Sequence, residues 1–204
     1  MQAAAGKGDR RERIKALLSG RDDFFGQGAS APAEHEPGER FRYGANHFFA
    51  FGEFLQRRLT QRGEKPSTVW EWYETNLFNP IGLQVARIGR DKAGQPQLAG
   101  GCSLTAREWA KFGELVRLQG AWPRPGGGTV QVVGAEALAK CFERSAANPS
   151  YGLTWWLGGD EPRAAVLMAA GLGKQRLYVI PQAKLVVVRF ADLQSERAAF
   201  RDDA

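Results

Sequence analysis

The chain has 204 residues, 43% of them hydrophobic and 25% charged, with a net charge of +6. That length suits one domain, or one domain with part of a second lobe, and lets roughly 70% of the unfolded surface be buried. The composition is globular and excludes a low-complexity chain; no apolar run reaches the length of a membrane span, and "MQAAAGKGDRRERIK" has no apolar core of the signal-peptide kind.

In chain order, "RRERIKALL" (10–18) predicts a short helix with Ile14, Leu17 and Leu18 on one face and Gly20 as its stop. Residues 20–40 are rich in Gly, Ala, Pro and charge without periodicity, and predict a loop. "YGANHFFAFGEFLQ" (43–56) predicts a helix from Asn46 to about residue 60, with Phe48, Phe51, Leu55 and Leu59 as its apolar face. In "PSTVWEWYETNLF", Thr68 and Glu71 have the spacing of a capping box, and "NPIGL" ends that helix. "RDKAGQPQLAGG" predicts a turn-rich connector. "LTAREWAKFGELVRLQG" predicts the clearest helix: Thr105 and Glu108 again have capping-box spacing, Trp109, Phe112, Leu115 and Val116 form the buried stripe, and Gly120 is the stop. "PRPGGG" predicts a loop and "AEALAKCFERS" a fifth helix.

After residue 150 the period changes from helix to strand. "YGLTWWL", "AAVLMAA", "QRLYVIP" and "KLVVVRF" are short runs whose joints, "GLGK" and "PQA", suit antiparallel hairpins. "SERAAF" predicts a final helix on the sheet. Helices followed by antiparallel strands argue for an α+β fold. One domain over 1–204 divides into an N-terminal helix and loop (1–45), a mainly helical region (46–148), and strands with a terminal helix (149–204).

The basic balance raises nucleic acid as a partner, but the cations alternate with acids in "RDDFF" and "ERFR" and no aromatic nucleic-acid motif accompanies them. The densest basic runs, "GDRRERIK" and "QRRLTQR", read as solvated helix surface, so no nucleic-acid partner is expected. His35 and His47 are the only histidines, and Cys102 and Cys141 the only cysteines; a metal site is not expected, and neither is a cofactor. The cysteines read as small core residues, with a disulfide between them left open. There is no P-loop, dinucleotide fingerprint, HExxH or G-x-S-x-G. "GLGKQ" leads into a strand, where a phosphate loop would lead into a helix. His47 reads as a capping or packing residue and His35 as an exposed loop residue.

The ordered set "EPGERFRYGANHFFAFGEFL", "NPIGL", "LAGGCSLTAREWAKFGELVRLQGAW", "YGLTWWL" and "AAGLGKQRLYVIPQAKLVVVRF" resembles the C-terminal two-thirds of a serine hydrolase of the β-lactamase and penicillin-binding-protein superfamily. It is most similar to the class C-like branch, which includes esterases and amide hydrolases, over roughly residues 10–200. The resemblance implies an incomplete β-lactamase/transpeptidase-like fold and a small ester, amide or peptide-like substrate. In that family a Ser in S-x-x-K attacks a carbonyl, a Tyr assists as base and acid, and a strand-edge motif lines the opposite wall. The Tyr motif maps onto Tyr43, Gly44 and Ala45; Ala45 stands where Asn is common, which disfavours β-lactam recognition. The strand motif maps onto Ala169, Ala170 and Gly171 and lacks the usual leading cation. Lys174 and Arg176 are substitutes for it or simply hairpin charges. Trp155 and Trp156 alternate across a strand, so one faces the core; Trp156 is placed at the substrate wall.

No S-x-x-K occurs among the seven serines. The expectation is that the nucleophile segment lies upstream and that this chain is truncated, with an open sheet edge and an exposed apolar face. A phenol serves as a base near neutrality only when a neighbouring cation stabilises the phenolate. No acyl-enzyme chemistry is therefore expected from this polypeptide alone. The alternative is a non-catalytic module that keeps the fold to bind a partner. Oligomeric state and compartment are not readable.

Overall fold

A computed structural model describes residues 23–63, 65–159 and 165–191. The helix expected at 10–18 and the one expected at "SERAAF" lie outside the described residues. Contacts divide the chain into two compact units. The first holds the described residues up to Glu34, then Arg42–Thr75 and Val85–Ser103; the second holds His35–Phe41, Asn76–Gln84 and the described residues from Leu104 on.

The first unit opens with helix α1 (Phe24–Ala29), in a stretch where a loop was expected. Its first turn is capped almost entirely by side chains. Asp23 accepts from the Gly26 amide at 2.8 Å, Asp91 from the Phe24 amide at 2.6 Å, and Gln95 from the Phe25 amide at 2.9 Å. These bonds satisfy N–H groups that a helix start leaves without intrahelical partners. Two of the three caps come from residues far away in sequence, so local pattern could not reveal the helix.

Helix α2 (Asn46–Arg62) ends at Gly63 with φ 68°, as expected of a helix stop. Leu55 and Leu59 of the expected face do reach the core, but the N-terminal half of the buried face differs from the expected one. Phe49, Gly52 and Leu59 are buried, whereas Phe51 is 50% exposed. The cause is a close helix crossing. A Cβ on Gly28 of α1 would lie 2.5 Å from the Phe49 Cβ, and one on Gly52 would lie 2.4 Å from the Phe25 ring. Phe24 and Phe49 stack with ring centroids 4.8 Å apart. Together with Phe25, Leu59 and Val69 they form the unit's core, with Leu55, Trp72, Tyr73 and Leu98 packed around it.

Helix α3 (Val69–Tyr73) carries the predicted capping box in full: Thr68 accepts from the Glu71 amide, and Glu71 accepts from the Thr68 amide. Gln56 of α2 ties the two helices together, donating to the Ser67 carbonyl and accepting from the Val69 amide. α3 runs into a π-helical turn over Glu74–Phe78. Within the expected connector, strands β1 (Arg87–Ile88) and β2 (Cys102–Ser103) pair antiparallel. The turn they enclose presents Asp91 and Gln95 to α1.

In the second unit, a 3-10 turn over Asn79–Ile81 ends at Gly82 with φ 61°. Helix α4 (Ala106–Arg117) follows. Thr105 caps it as expected, but the reciprocal half of the capping box is not made. Glu108 instead accepts from the Gln84 amide at 2.7 Å and from Lys111 at 2.8 and 2.9 Å. The expected stripe is present: Leu115 and Val116 are buried, and Trp109 and Phe112 pack against the core. The expected "PRPGGG" loop is the tip of a hairpin between β3 (Ala121–Pro123) and β4 (Thr129–Gln131). Helix α5 (Ala135–Lys140) is shorter than expected.

The four predicted strands form one antiparallel meander: β5 (Trp156–Gly158), β6 (Val166–Gly171), β7 (Gln175–Ile180) and β8 (Leu185–Arg189), in that order. Leu167, Leu177 and Val179 alternate onto one face and meet α4 there, with Val116, Trp155 and Leu157. A Cβ on Gly113 of α4 would lie 2.6 Å from Val186 and 2.8 Å from Leu177, so the glycine sets how closely helix and sheet approach. Among the described residues, the α+β arrangement with a C-terminal four-stranded sheet is as expected.

Candidate active site

Four of the five expected site residues lie in the second unit, on neighbouring strands. Trp156 on β5 pairs with Met168 on β6, and Ala169, Ala170 and Gly171 continue β6 beyond that rung. Past Met168 the β5–β6 ladder stops, while the β6–β7 ladder runs on through Ala169–Leu177, Ala170–Arg176 and Gly171–Gln175. Among the described residues, only Leu167 and Met168 of β6 pair on both sides, and its last three residues pair with β7 alone. Backbone on the other side there belongs to no strand ladder among the described residues, which is how a sheet edge accepts an added extended group.

Side chains alternate along β6. Ala169 faces the α4 core, and Ala170 shares the opposite face with Met168. Gly171 is exposed at the strand end. A Cβ there would meet the Gln175 side chain at 3.0 Å, so tight pairing across the hairpin already accounts for the glycine.

Trp155 is buried and Trp156 half-buried, as their alternation requires. Phe142 meets Trp155 edge-on at 5.6 Å, and Phe112 stacks on it at 6.1 Å. Trp156 belongs to an aromatic trio. Its ring centroid is 4.8 Å from Tyr151 and 6.4 Å from Phe41, and Phe41 lies 5.0 Å from Tyr151. Sequence reasoning missed Phe41, which lies outside the periodic segments, and took Tyr151 only as the start of the run "YGLTWWL"; the two lie far apart in the chain. The trio is the apolar surface beside the one-sided end of β6.

The Arg176 cation near this end is engaged with the hairpin. The Arg176 guanidinium donates to the carbonyls of Gly171 at 3.1 Å and Gln175 at 3.0 Å. Lys174 sits in the turn at φ 64°, and its carbonyl accepts from Arg189 at 3.0 Å.

Tyr43 belongs to the first unit, two residues beyond Phe41 in sequence and just ahead of α2; it is 56% exposed. His47 follows in the first turn of α2, its ring 4.3 Å from that of Phe48, and desolvation pushes its imidazole pKa down. His35 is exposed, 3.9 Å from Glu39. The expectation for the cysteines is corrected: Cys102 is exposed, Cys141 is half-buried, and both are free thiols. Cys102 belongs to neither core cluster, whereas Cys141 packs against the second unit's core beside Leu138 and Phe142. Among the described residues, no group of three or more His, Cys, Asp or Glu is placed to hold a metal, and no helix is long and apolar enough to cross a membrane.

No protein-family model and no curated protein matches the sequence. Among solved structures, the chain is similar to a protein of Bacillus anthracis named a 6-aminohexanoate-dimer hydrolase. The TM-score is 0.64 at 20% identity, over 94% of this chain and 50% of that one. The chain thus spans half the length of that protein. The likeness shows the fold, a β-lactamase-like α+β arrangement.

Proposed function

We propose that this chain carries the tyrosine and the substrate wall of a serine hydrolase that cleaves small ester, amide or peptide-like substrates through an acyl-enzyme. The observation that carries the reading is the end of β6. Among the described residues, Ala169–Gly171 pair on one side only, next to the half-buried Trp156. An extended acyl group lying along that edge would gain backbone hydrogen bonds, and its apolar part would rest on the Trp156 ring. Tyr43 is assigned proton transfer, to and from the attacking hydroxyl. The shared fold with a hydrolase of known name supports the assignment, as does the ordered motif set.

These 204 residues hold no S-x-x-K, so the serine that would attack and the lysine that would activate the phenol are not among them. The chain by itself then binds without forming an acyl-enzyme. Incubation with a fluorophosphonate probe should label no serine, and titration with a small peptide amide should shift the Trp156 indole and the Ala169–Gly171 amides. One-to-one labelling of a single serine would overturn the first claim, and unshifted wall resonances the second. The same absence favours a second reading, a non-catalytic binding module. The part of the Bacillus anthracis protein that this chain does not match, expressed separately and mixed in, tells them apart. Labelling that appears only on mixing supports the hydrolase; none supports the module.

A further inference from the structure

Helix α2 presents aromatic side chains on two faces. The first, through Phe49, Gly52 and Leu59, is closed within the first unit's core. The second carries His47, Phe51, Phe54 and Arg58, spaced four, three and four residues apart. That alternation is the spacing of a heptad seam, which keeps side chains on one side of a helix over several turns. Phe51 and Phe54 are 50% and 60% exposed, with ring centroids 6.5 Å apart. A solvated helix face has no use for two adjacent phenylalanines; exposed aromatics grouped inside a charged rim are what an interface presents.

Charge decides what fits the seam. The C-terminal half of α2 carries Arg57, Arg58 and Arg62, while its first turn has no acid and offers Asn46, His47 and Phe48. Glu53, near the middle, holds Arg57 at 2.7 Å. In a parallel pair of such helices, Arg58 would face its own copy and the two macrodipoles would align, both unfavourable. In an antiparallel pair, Arg58 of each chain reaches the His47 and Phe48 rings of the other, where a guanidinium is favoured over an aromatic face, and the macrodipoles oppose.

We propose that the outward seam of α2 pairs antiparallel with the same seam of a second copy of this chain. Phe51 of each copy packs on Phe54 of the other, about a two-fold axis between them. Such an isologous contact is complete with two copies and cannot propagate. A single pair of helices buries less than the roughly 1,200 Å² of a tight interface, so association is concentration-dependent.

Sedimentation velocity on the full chain reads this directly. The wild type should move from monomer to dimer as concentration rises through tens of micromolar, and Phe54→Glu should remain monomeric with an unchanged circular dichroism spectrum. A wild type that is monomeric throughout, or a Phe54→Glu variant that dimerises as the wild type does, overturns the proposal. Orientation is read by cross-linking in a background lacking Cys102 and Cys141. Chains with His47→Cys and chains with Arg58→Cys should cross-link when mixed and not separately, because the two positions lie about 16 Å apart along the helix. Cross-linking within either population alone overturns the antiparallel arrangement.

Discussion

In the first unit, two helices meet where Gly28 admits Phe49 and Gly52 admits Phe25, and the start of α1 is held by side chains from the Asp91–Gln95 turn. In the second unit, one helix lies on a sheet at Gly113, and each strand of that sheet pairs with the next one in the sequence. The first arrangement is built from aromatic rings and long-range caps, the second from aliphatic alternation and local hairpins. Stability in the first should therefore depend on a few irreplaceable contacts, and in the second on many similar ones.

The largest test of that difference is a pair of phenylalanines two residues apart. Phe49 is fully buried and stacked on Phe24, while Phe51 is half exposed. Phe49→Ala should cost about 3–5 kcal/mol, the usual range for emptying a packed aromatic site. Phe51→Ala should cost under about 1 kcal/mol at concentrations where the chain is monomeric. Chemical denaturation measures both, and amide exchange along α2 and β7 shows which unit loosens. Equal losses would restore the face through Phe48 and Phe51 that sequence periodicity favours.

That misplaced face shows where the sequence was readable. Hydrophobic periodicity weighs side chains, and Gly52 has none. Its burial marks the true contact face only because the Phe25 ring, far off in sequence, occupies the space. Helix α1 was hidden for the same reason, its caps being Asp91 and Gln95. The meander was legible because both halves of each contact lie within one hairpin, as with Leu167, Leu177 and Val179. At the candidate site, the alternation of Trp155 and Trp156 was readable. The aromatic trio was not, because Phe41 reaches Trp156 and Tyr151 from an unpatterned segment far away in the chain.

Asp91 tests the long-range caps. Its carboxylate is largely buried and accepts from the Phe24 and Gln95 amides at 2.6 and 2.8 Å. Asp91→Ala leaves both amides without that acceptor and should cost about 2–3 kcal/mol, as expected for hydrogen bonds to a charged group. The loss should appear as faster exchange in α1, with β7 unaffected. Asp91→Asn keeps one acceptor oxygen and should cost less. A uniform loss across both units would mean that the cap does not act locally.

The smallest effect compares two surface carboxylates at helix starts, one in each unit. Hydrogen bonds from the Ser67 amide and hydroxyl and from the Thr68 amide hold the Glu71 carboxyl below its ordinary pKa. Glu108 is held down first by Lys111 and then by the Gln84 amide. A depressed carboxylate pKa means that the folded state binds fewer protons than the unfolded one. Each group therefore contributes stability above its unfolded pKa and loses it as pH falls through the lowered folded value. Both helix starts should fray in mild acid. Salt should separate them, since it screens the partly buried ammonium–carboxylate pair of Lys111 and Glu108 more than a carboxylate bonded to backbone amides. High salt at neutral pH should speed exchange at the start of α4 and leave α3 unchanged, and Glu71→Gln should remove the acid sensitivity of α3 alone. If salt loosened both ends alike, the capping box of Glu71 would be acting through charge, and the contrast between the two helix starts would be lost.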